Sequence, residues 1–290
     1  MLWWFVSLIF VFNFGVRSSS PIVLSGFTGS VTMSILLNVL NTIEPGLGDE
    51  VHARRGPKPV SVTPFMRGGR VLFRGVYVAP PGEELRFRVT VVGESLGLKL
   101  LNGLEGVRGV RIGSVDASLE VLGVEVFRVD DLWRVGGDRF RIEFLSPVRF
   151  AKRSTMGRRR KVRFDFCPSI VNILFTTVNH YSSVVGVGEG LRSWPYLLRW
   201  AYNYVYMRDL RGRVVATRHA GRPELGFIGS VEFEVRSKRQ SRIQQLWHLL
   251  NYAELINVGT GRSMGFGVIR ITTNQAQKQH EAQEPPVEEQ

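Results

Sequence analysis

Cysteine is nearly absent from the sequence, which has 290 residues and a single thiol at Cys167. One cysteine excludes a disulfide framework and any zinc finger built on cysteine pairs, and it is typical of a cytoplasmic protein. The sequence also contains no H-E-x-x-H motif, no Walker loop and no paired carboxylates. His180, His219 and His248 have no metal-ligand spacing, so we interpret them as structural. From these absences we expect no bound metal ion and no cofactor.

No apolar run is long enough to cross a bilayer, which takes about 20 residues. The first residues, MLWWFVSLIFVFNF, are apolar, but no basic segment precedes them as in a signal peptide, and Arg17 follows them. We therefore expect a buried strand over 3–14 and no membrane partner, with a signal peptide or membrane anchor as the alternative. Such an apolar strand at a sheet edge could pair with a second chain, so a monomer and a homodimer both stay open.

Lysine is also scarce: six of the 38 basic residues are lysine, and the others are arginine. The formal net charge is nevertheless +13, although the polar segment 274–290 carries more acids than bases. The planar guanidinium matches phosphate and guanine edges better than an ammonium group does. This excess predicts a nucleic-acid partner, and the alternative is an arginine-rich composition without one.

The first half of the chain carries apolar patterns in a β-α-β-β-α-β order. Apolar residues at helical spacing predict a helix over 29–43 and a short one over 94–103. Gly46, Gly48 and the GPKP sequence at 56–59 break the first helix. Runs of β-branched and aromatic residues predict strands over 3–14, 60–65, 70–78, 85–93 and 107–128.

The second half repeats this order. Helices are predicted over 168–184, 194–208 and 239–256, and strands over 139–150, 212–219, 226–237 and 265–273. The predicted fold class is α+β, with two tandem ferredoxin-like (βαββαβ) domains over residues 1–130 and 138–273. The remaining residues, 274–290, are polar, and we expect them to be disordered.

A glycine-rich loop stands between the last predicted helix and the last predicted strand, in LINVGTGRSMGFGVIRI (255–271). A dinucleotide site would need the opposite order, a strand before the glycines and a helix after them. Glycines also let a phosphodiester approach the backbone closely, and their N–H groups can form an anion-binding concavity. The alternative is a tight packing turn between domains. The RNA-binding candidates of this loop are Gly259, Gly261, Arg262, Ser263, Gly265 and Gly267.

The spacing of these glycines resembles a motif of the repeat-associated mysterious proteins (RAMP superfamily) of CRISPR systems. The closest resemblance is to the sixth family of CRISPR-associated proteins, the endoribonucleases that cut CRISPR repeats in precursor RNA. Their motif ends in five variable residues and Gly-hydrophobic-Gly, as in Gly259, TGRSM and 265–267 here. The family usually has a further glycine where this chain has Asn257. The stretches GFIGSVEFEV (226–235) and FLSPVRF (144–150) also look like the family's second-domain strands.

A second local match lies in VHARRGPKPVSVTPF (51–65). It resembles a family segment in which a catalytic histidine stands six residues before a lysine in a Gly-Pro-Lys turn, and His52 and Lys58 occupy these positions. The resemblance implies a metal-independent endoribonuclease that cleaves CRISPR repeat RNA by 2′-hydroxyl attack, leaving 2′,3′-cyclic phosphate and 5′-hydroxyl ends. His52 would be the general acid or base. Lys58 would stabilise the developing negative charge, and other CRISPR-associated proteins are candidate partners.

One position departs from the family segment. The family carries a tyrosine fifteen residues before the histidine, where this chain has Leu37, which cannot transfer a proton. Ser34 is one helical turn earlier, but serine is a poor general base unaided. The alternative function is therefore a non-catalytic RNA-binding RAMP subunit of a CRISPR effector complex.

Basic side chains cluster at two further places. Arg54 and Arg55 stand between His52 and Lys58, where they would attract the scissile phosphate. The segment KRSTMGRRRKVR (152–163) contains seven cations and no acid, which is typical either of phosphate contacts or of a solvated loop. Its RNA-binding candidates are Lys152, Arg153, Arg158, Arg159, Arg160, Lys161 and Arg163.

Overall fold

Each half of the chain forms an antiparallel sheet with the helix order of a ferredoxin-like domain. The computed structural model describes residues 8–152, 163–186, 191, 194–219 and 221–273. The predicted α+β class with two tandem ferredoxin-like units is confirmed. The first sheet lies within residues 8–128 and the second within 139–273. The exact domain limits, 1–130 and 138–273, stay our proposal.

The first sheet is built around the first strand. The strands of the first domain are Leu8–Arg17 (β1), Ile22–Ser25 (β2), Val60–Val62 (β3), Met66–Arg67 (β4), Arg70–Val71 (β5), Val76–Ala79 (β6), Leu85–Val92 (β7), Gly109–Ile112 (β8) and Val115–Arg128 (β9). The main order of the first sheet is β5-β4-β7-β1-β9-β8, and β3 pairs with β7 beside this path. Strands β2 and β6 pair with each other in a separate two-stranded sheet. The helices are Gly29–Ile43 (α1), Leu47–Ala53 (α2) and Glu94–Gly103 (α3).

Strand β1 is buried on both faces. Phe10, Phe12 and Phe14 belong to the core of the first domain, whereas Ile9 and Val11 belong to the core cluster of the second. A strand covered on both faces reads as a continuous apolar run, which explains the composition of this segment. Antiparallel neighbours flank β1 on both sides, so β1 is not an edge strand at which a second chain could pair. None of the described helices is long and apolar enough to cross a membrane.

The strands of the second domain are Arg139–Val148 (β10), Phe150–Ala151 (β11), Phe164–Asp165 (β12), Val205–His219 (β13), Arg222–Val235 (β14) and Ile269–Thr273 (β15). The second sheet has the order β13-β14-β10-β15, and β11 and β12 pair with each other beside it. The helices are Ile170–Val184 (α4), Trp194–Tyr204 (α5) and Gln240–Ile256 (α6). Helix α4 begins after Ser169, whose hydroxyl oxygen accepts a hydrogen bond from the Asn172 N–H.

Several element boundaries differ from the sequence-based expectation: for example, the strand predicted over 107–128 is two strands, β8 and β9, and the strands predicted over 212–219 and 226–237 start at Val205 and Arg222. The helix predicted over 194–208 ends at Tyr204, because β13 pairs with β14 from Val205 onward. The last strand starts at Ile269 instead of 265, because Gly265 and Gly267 have positive φ angles of 86° and 67°. The first strand covers Leu8–Arg17, and residues 1–7 lie outside the described part of the chain.

Helix α2 was not predicted, because Gly46 and Gly48 were interpreted as helix breakers. Gly46 instead adopts a left-handed conformation at the helix start, with φ 87°. Gly48 lies against the main-chain oxygen of Leu37, where a Cβ atom would clash, and its N–H donates to Asn41 Oδ1 at 2.7 Å. These glycines therefore allow α1 and α2 to pack closely, which places His52 on a helix rather than in a loop.

Side chains join the two domains through main-chain oxygens. The Thr90 hydroxyl donates to the Leu255 carbonyl at 2.7 Å, and the guanidinium of Arg88 donates to the Glu254 carbonyl at 2.9 Å. The Thr217 hydroxyl on the β13–β14 hairpin reaches the Phe73 carbonyl at 2.5 Å. The first two bonds fix the end of α6 against β7, and the third fixes the β13–β14 hairpin to the first domain.

Candidate functional site

A cleft of about 370 Å³ opens between the domains, and both sequence motifs contribute to it. The first domain supplies residues 56–58, and the second supplies residues 259–263 of the glycine loop. The floor comes from Ala151 and from Phe175, Thr176 and Asn179 of α4. The described residues that line the cleft include Lys58 and Arg262 and no carboxylate. This charge balance favours an anionic ligand such as a phosphodiester.

Lys58 is held at two points. Its ammonium group donates a hydrogen bond of 2.6 Å to the main-chain oxygen of His52, in the last turn of α2. A cation at this position also meets the negative end of the helix dipole. The main-chain oxygen of Lys58 lies 2.8 Å from Nε2 of His180 in the second domain. Partial burial lowers the pKa of the Lys58 ammonium group.

His52 is exposed at the end of α2. Gly56, with φ 86°, reverses the chain after it and leads to Lys58. Within the described part of the chain, the imidazole makes no hydrogen bond. The Lys58–His52 bond therefore brings a cation next to an unengaged histidine.

Leu37 does not complete an acid–base pair. Its side chain is half-buried and packs against the first-domain core, while its main-chain oxygen faces Gly48, one turn before His52 on α2. Ser34 is exposed, and its hydroxyl donates to the Ser30 carbonyl at 3.0 Å. Neither residue offers a proton-transfer group bound to His52.

The glycine loop is closely packed within the second domain and, at Gly265, against the first domain. All four glycines have positive φ angles. A Cβ atom on Gly259 would lie 2.5 Å from the Arg149 carbonyl oxygen, and one on Gly265 would lie 2.8 Å from Pro64 Cδ of the first domain. At Gly267 it would overlap the Val258 carbonyl oxygen. Gly265 and Gly267 do not line the cleft, and close packing accounts for both.

Arg262 binds α4 through its side chain. Its guanidinium donates to the Thr176 carbonyl at 3.2 Å, and the Thr176 hydroxyl accepts the Gly259 N–H at 3.3 Å. Burial of the guanidinium lowers the pKa of Arg262 to about 10. Arg262 therefore fixes the loop to α4 in addition to lending positive charge, while Gly261 and Ser263 present the half-exposed part of the loop.

Asn257 explains the departure from the usual glycine. It is the one non-glycine among the described residues with a positive φ, 64°. Its side-chain amide donates to the Val62 carbonyl at 2.8 Å and to the Arg262 carbonyl at 3.1 Å. With ψ 170°, this backbone lies in a region that glycine adopts far more readily than other residues, so the two hydrogen bonds offset a strained conformation. It therefore replaces the glycine and adds a hydrogen bond between the domains.

The predicted basic segment starts and ends next to the cleft. The Lys152 N–H donates to the Arg163 carbonyl at 2.8 Å, and both residues are exposed beside Ala151, which lines the cleft. Arg54 and Arg55 are also exposed, directly after α2. The other predicted cations of this segment lie outside the described residues; they are Arg153, Arg158, Arg159, Arg160 and Lys161.

Two further histidines of the described residues pack against aromatic rings. His248 stacks on Trp133 with ring centroids 4.0 Å apart, and burial lowers its pKa to about 4. His219 lies edge-on to Phe27 and Phe266. In the described part of the chain, no three His, Cys, Asp or Glu side chains are grouped as metal ligands would be.

The cleft face of α4 was missed by sequence reasoning. Phe175, Thr176 and Asn179 lie more than a hundred residues from Lys58 in sequence, and no motif marks them. The available signal was weak: polar residues recur at helical spacing on a helix whose other face is apolar.

Two sequence models of one protein family match the chain. The model described as the Cas6 N-terminal domain matches residues 10–127, and the model described as CRISPR-associated endoribonuclease Cas6 matches residues 142–269. The chain belongs to the Cas6 family. A comparison with curated proteins gives no match.

Solved Cas6 structures share this fold across both domains. The product complex of Cas6 TTHB231 has a TM-score of 0.70 and 17% identity, covering 92% of this chain and 100% of that chain. A second structure, described as Thermus thermophilus Cas6 (TTHB231), has a TM-score of 0.66 and 15% identity, covering 92% of this chain and 99% of that chain. A Cas6-related protein from Pyrococcus furiosus has a TM-score of 0.60 and 11% identity, covering 93% and 100%.

Proposed function

We propose that this Cas6-family protein is an endoribonuclease that binds CRISPR repeat RNA in precursor crRNA and cuts it. The carrying observation is the 2.6 Å bond between the Lys58 ammonium group and the His52 carbonyl, at the edge of a cleft whose described lining contains no acid. The glycine loop forms the opposite wall. Similar solved structures are described as Cas6 with a product and with a substrate mimic, which supports RNA as the ligand.

The proposed reaction is transesterification at one phosphodiester, without a metal ion. The 2′-oxygen forms a bond to phosphorus as its proton leaves, and the bond from phosphorus to the 5′-oxygen breaks. The departing 5′-oxygen takes up a proton, so the products are a 2′,3′-cyclic phosphate and a 5′-hydroxyl. His52 acts at one of the two proton transfers. The Lys58 ammonium stabilises the additional negative charge on the pentavalent phosphate.

The proposed RNA surface surrounds this cleft. Arg54 and Arg55 lie on the His52 side, and the exposed ends of the basic segment, Lys152 and Arg163, lie on the Ala151 side. Contacts to phosphates supply affinity and salt dependence and do not depend on base sequence. Gly261 and Ser263 offer N–H and hydroxyl donors on the loop side.

Replacing His52 tests the assignment directly. In single-turnover assays with end-labelled repeat RNA, His52→Ala should cut at least about 100-fold more slowly than the parent, since acid–base groups contribute factors of about 10² to 10⁴. The affinity for RNA should change little, because the imidazole carries no binding contact in the proposal. Glu50→Ala, an exposed change on the same helix, is the matched control and should cut normally. Equal rates for His52→Ala and the parent would refute the assignment.

Leu37 favours a second candidate, a non-catalytic RNA-binding RAMP subunit of a CRISPR effector complex. The family's tyrosine position holds a side chain that packs in the core and cannot transfer a proton. Tight binding of repeat RNA by the parent protein, with no new RNA ends after long incubation, would support this candidate and contradict the first.

A further inference from the structure

We propose that His180 is a positioning residue for Lys58, and that α4 thereby sets the separation between the two walls of the cleft. The proposal rests on the function assigned above to Lys58. His180 lies in the second domain and is 1% exposed, so it cannot touch RNA. It acts through the main chain of Lys58 in the first domain.

The partners of His180 fix its tautomer. Nε2 lies 2.8 Å from the Lys58 carbonyl oxygen, which can only accept, so Nε2 carries the proton and donates. Nδ1 lies 2.8 Å from the Tyr252 hydroxyl and therefore accepts from it. The relay thus runs from the Tyr252 hydroxyl through the imidazole to the Lys58 carbonyl. Tyr252 is fully buried on α6.

Helix α4 holds both cleft walls one helical turn apart. Thr176 binds the glycine loop, through its carbonyl to Arg262 and through its hydroxyl to Gly259. His180, four residues later and on the same face, binds Lys58. A change at position 180 therefore shifts the Lys58 turn relative to the loop, although it replaces no side chain that lines the cleft. The Lys58 ammonium follows its main chain, because the turn between His52 and Lys58 is short.

The imidazole of His180 stays neutral at neutral pH. Burial lowers the pKa of His180 to about 3, and the positive charges of Arg262 and Arg54 add to this effect. Neutral imidazole is the form that can accept from Tyr252 and donate to Lys58 at once. The bond therefore persists across the pH range in which an RNA cleavage assay is run.

Two amide substitutions separate positioning from general packing. Glutamine places its side-chain N–H₂ near the position of Nε2, so His180→Gln keeps a donor for the Lys58 carbonyl. Asparagine is one carbon shorter and reaches only the position of Nδ1, so His180→Asn loses that donor. Misplacement of a catalytic group by about 1 Å can lower a rate by about 100-fold. We expect His180→Asn to cut repeat RNA at least about tenfold more slowly than His180→Gln, with equal RNA affinity.

A double mutant identifies Lys58 as the group that is positioned. In a Lys58→Ala background, His180→Asn should cause no further loss of rate, because the group that it positions is already gone. Equal rates for His180→Gln and His180→Asn, or additive losses in the double mutant, would overturn the positioning role. A Lys58→Ala variant that cuts like the parent would instead contradict the proposed function.

A labelling experiment tests the position of Lys58 without RNA. Brief reductive methylation followed by mass spectrometry reports how freely each lysine ammonium reacts. We expect Lys58 to react several-fold faster in His180→Asn than in His180→Gln, while exposed Lys99 reacts equally in both. Equal reaction of Lys58 in the two variants would refute the proposal even if the parent protein cut no RNA.

Discussion

The ammonium group of Lys58 donates a hydrogen bond to the main-chain oxygen of His52 at 2.6 Å. This bond holds together two residues that are six positions apart in the sequence. It needs both the helical end of α2 and the left-handed turn at Gly56. It also puts a cation at the mouth of the cleft, opposite the glycine loop.

Removing the Lys58 ammonium should slow cleavage far more than it weakens binding. A single group that stabilises transition-state charge contributes a factor of about 10² to 10³ to a rate. We expect Lys58→Ala to lower the single-turnover rate of repeat cleavage by about this factor and RNA affinity by less than about fivefold. Lys99→Ala, an exposed lysine paired with Glu44 on the first domain, is the control and should cut normally. A proportional loss of affinity and rate would show that Lys58 only binds RNA.

Two replacements of Asn257 should destabilise the protein by different amounts. Asn257→Gly removes the hydrogen bonds to Val62 and Arg262 but suits the positive φ, and we expect a loss of about 1–2 kcal/mol. Asn257→Ala loses the same bonds and retains an unfavourable backbone conformation, which should cost about 1 kcal/mol more. Urea unfolding measures both. A glycine variant less stable than the alanine variant would contradict this account of position 257.

Mild acid should destabilise the protein partly through His180. Its folded-state pKa of about 3 lies below the ordinary value of 6.5, so the unfolded chain binds a proton that the folded chain does not. This stability is complete above pH 6.5 and is lost as the pH falls toward 3, by about 2 kcal/mol at pH 5. Urea unfolding at pH 7 and pH 5 should therefore show a smaller pH effect in His180→Gln than in the parent. An identical pH effect in both would contradict the burial of a neutral imidazole.

Phosphate contacts at the rim of the cleft should appear in the salt dependence of binding. Each lost phosphate contact lowers the slope of log affinity against log salt by about 0.7 on single strands. We expect Lys152→Ala combined with Arg163→Ala to lower the slope by about 1.4, equally for repeat RNA and unrelated RNA. Arg111→Ala, an exposed arginine outside the cleft, should leave the slope unchanged. An unchanged slope in the double variant would place the RNA path elsewhere.

Much of the fold was predictable because the strands and helices that build the cores have apolar residues at regular spacing in the sequence. Helices α1 and α3 match their predicted bounds, 29–43 and 94–103. Helix α2 was missed because Gly46 and Gly48 serve packing, and a glycine in the sequence does not reveal whether it ends a helix or lets another helix approach. The role of β1 as a central strand depends on its pairing partners, which are distant in sequence.

The candidate site was predictable only where a motif marks it. His52, Lys58 and the glycine loop came from spacing and resemblance. The α4 face and the His180 bond join residues that are 122 positions apart, so only the folded chain brings them together. The spacing of the glycines was recognised from the sequence, but the close packing of Gly265 depends on Pro64, which lies in the other domain and outside the motif.

The most direct test of the central claim is cleavage of end-labelled repeat RNA in excess EDTA, beside the same RNA with one 2′-deoxy nucleotide at the cut position. Metal-independent attack by the 2′-hydroxyl predicts a single cut that persists in EDTA, ends in a 2′,3′-cyclic phosphate and disappears in the deoxy substrate. A cut that survives the deoxy substitution would contradict the account. So would a cut that EDTA abolishes and added Mg²⁺ restores.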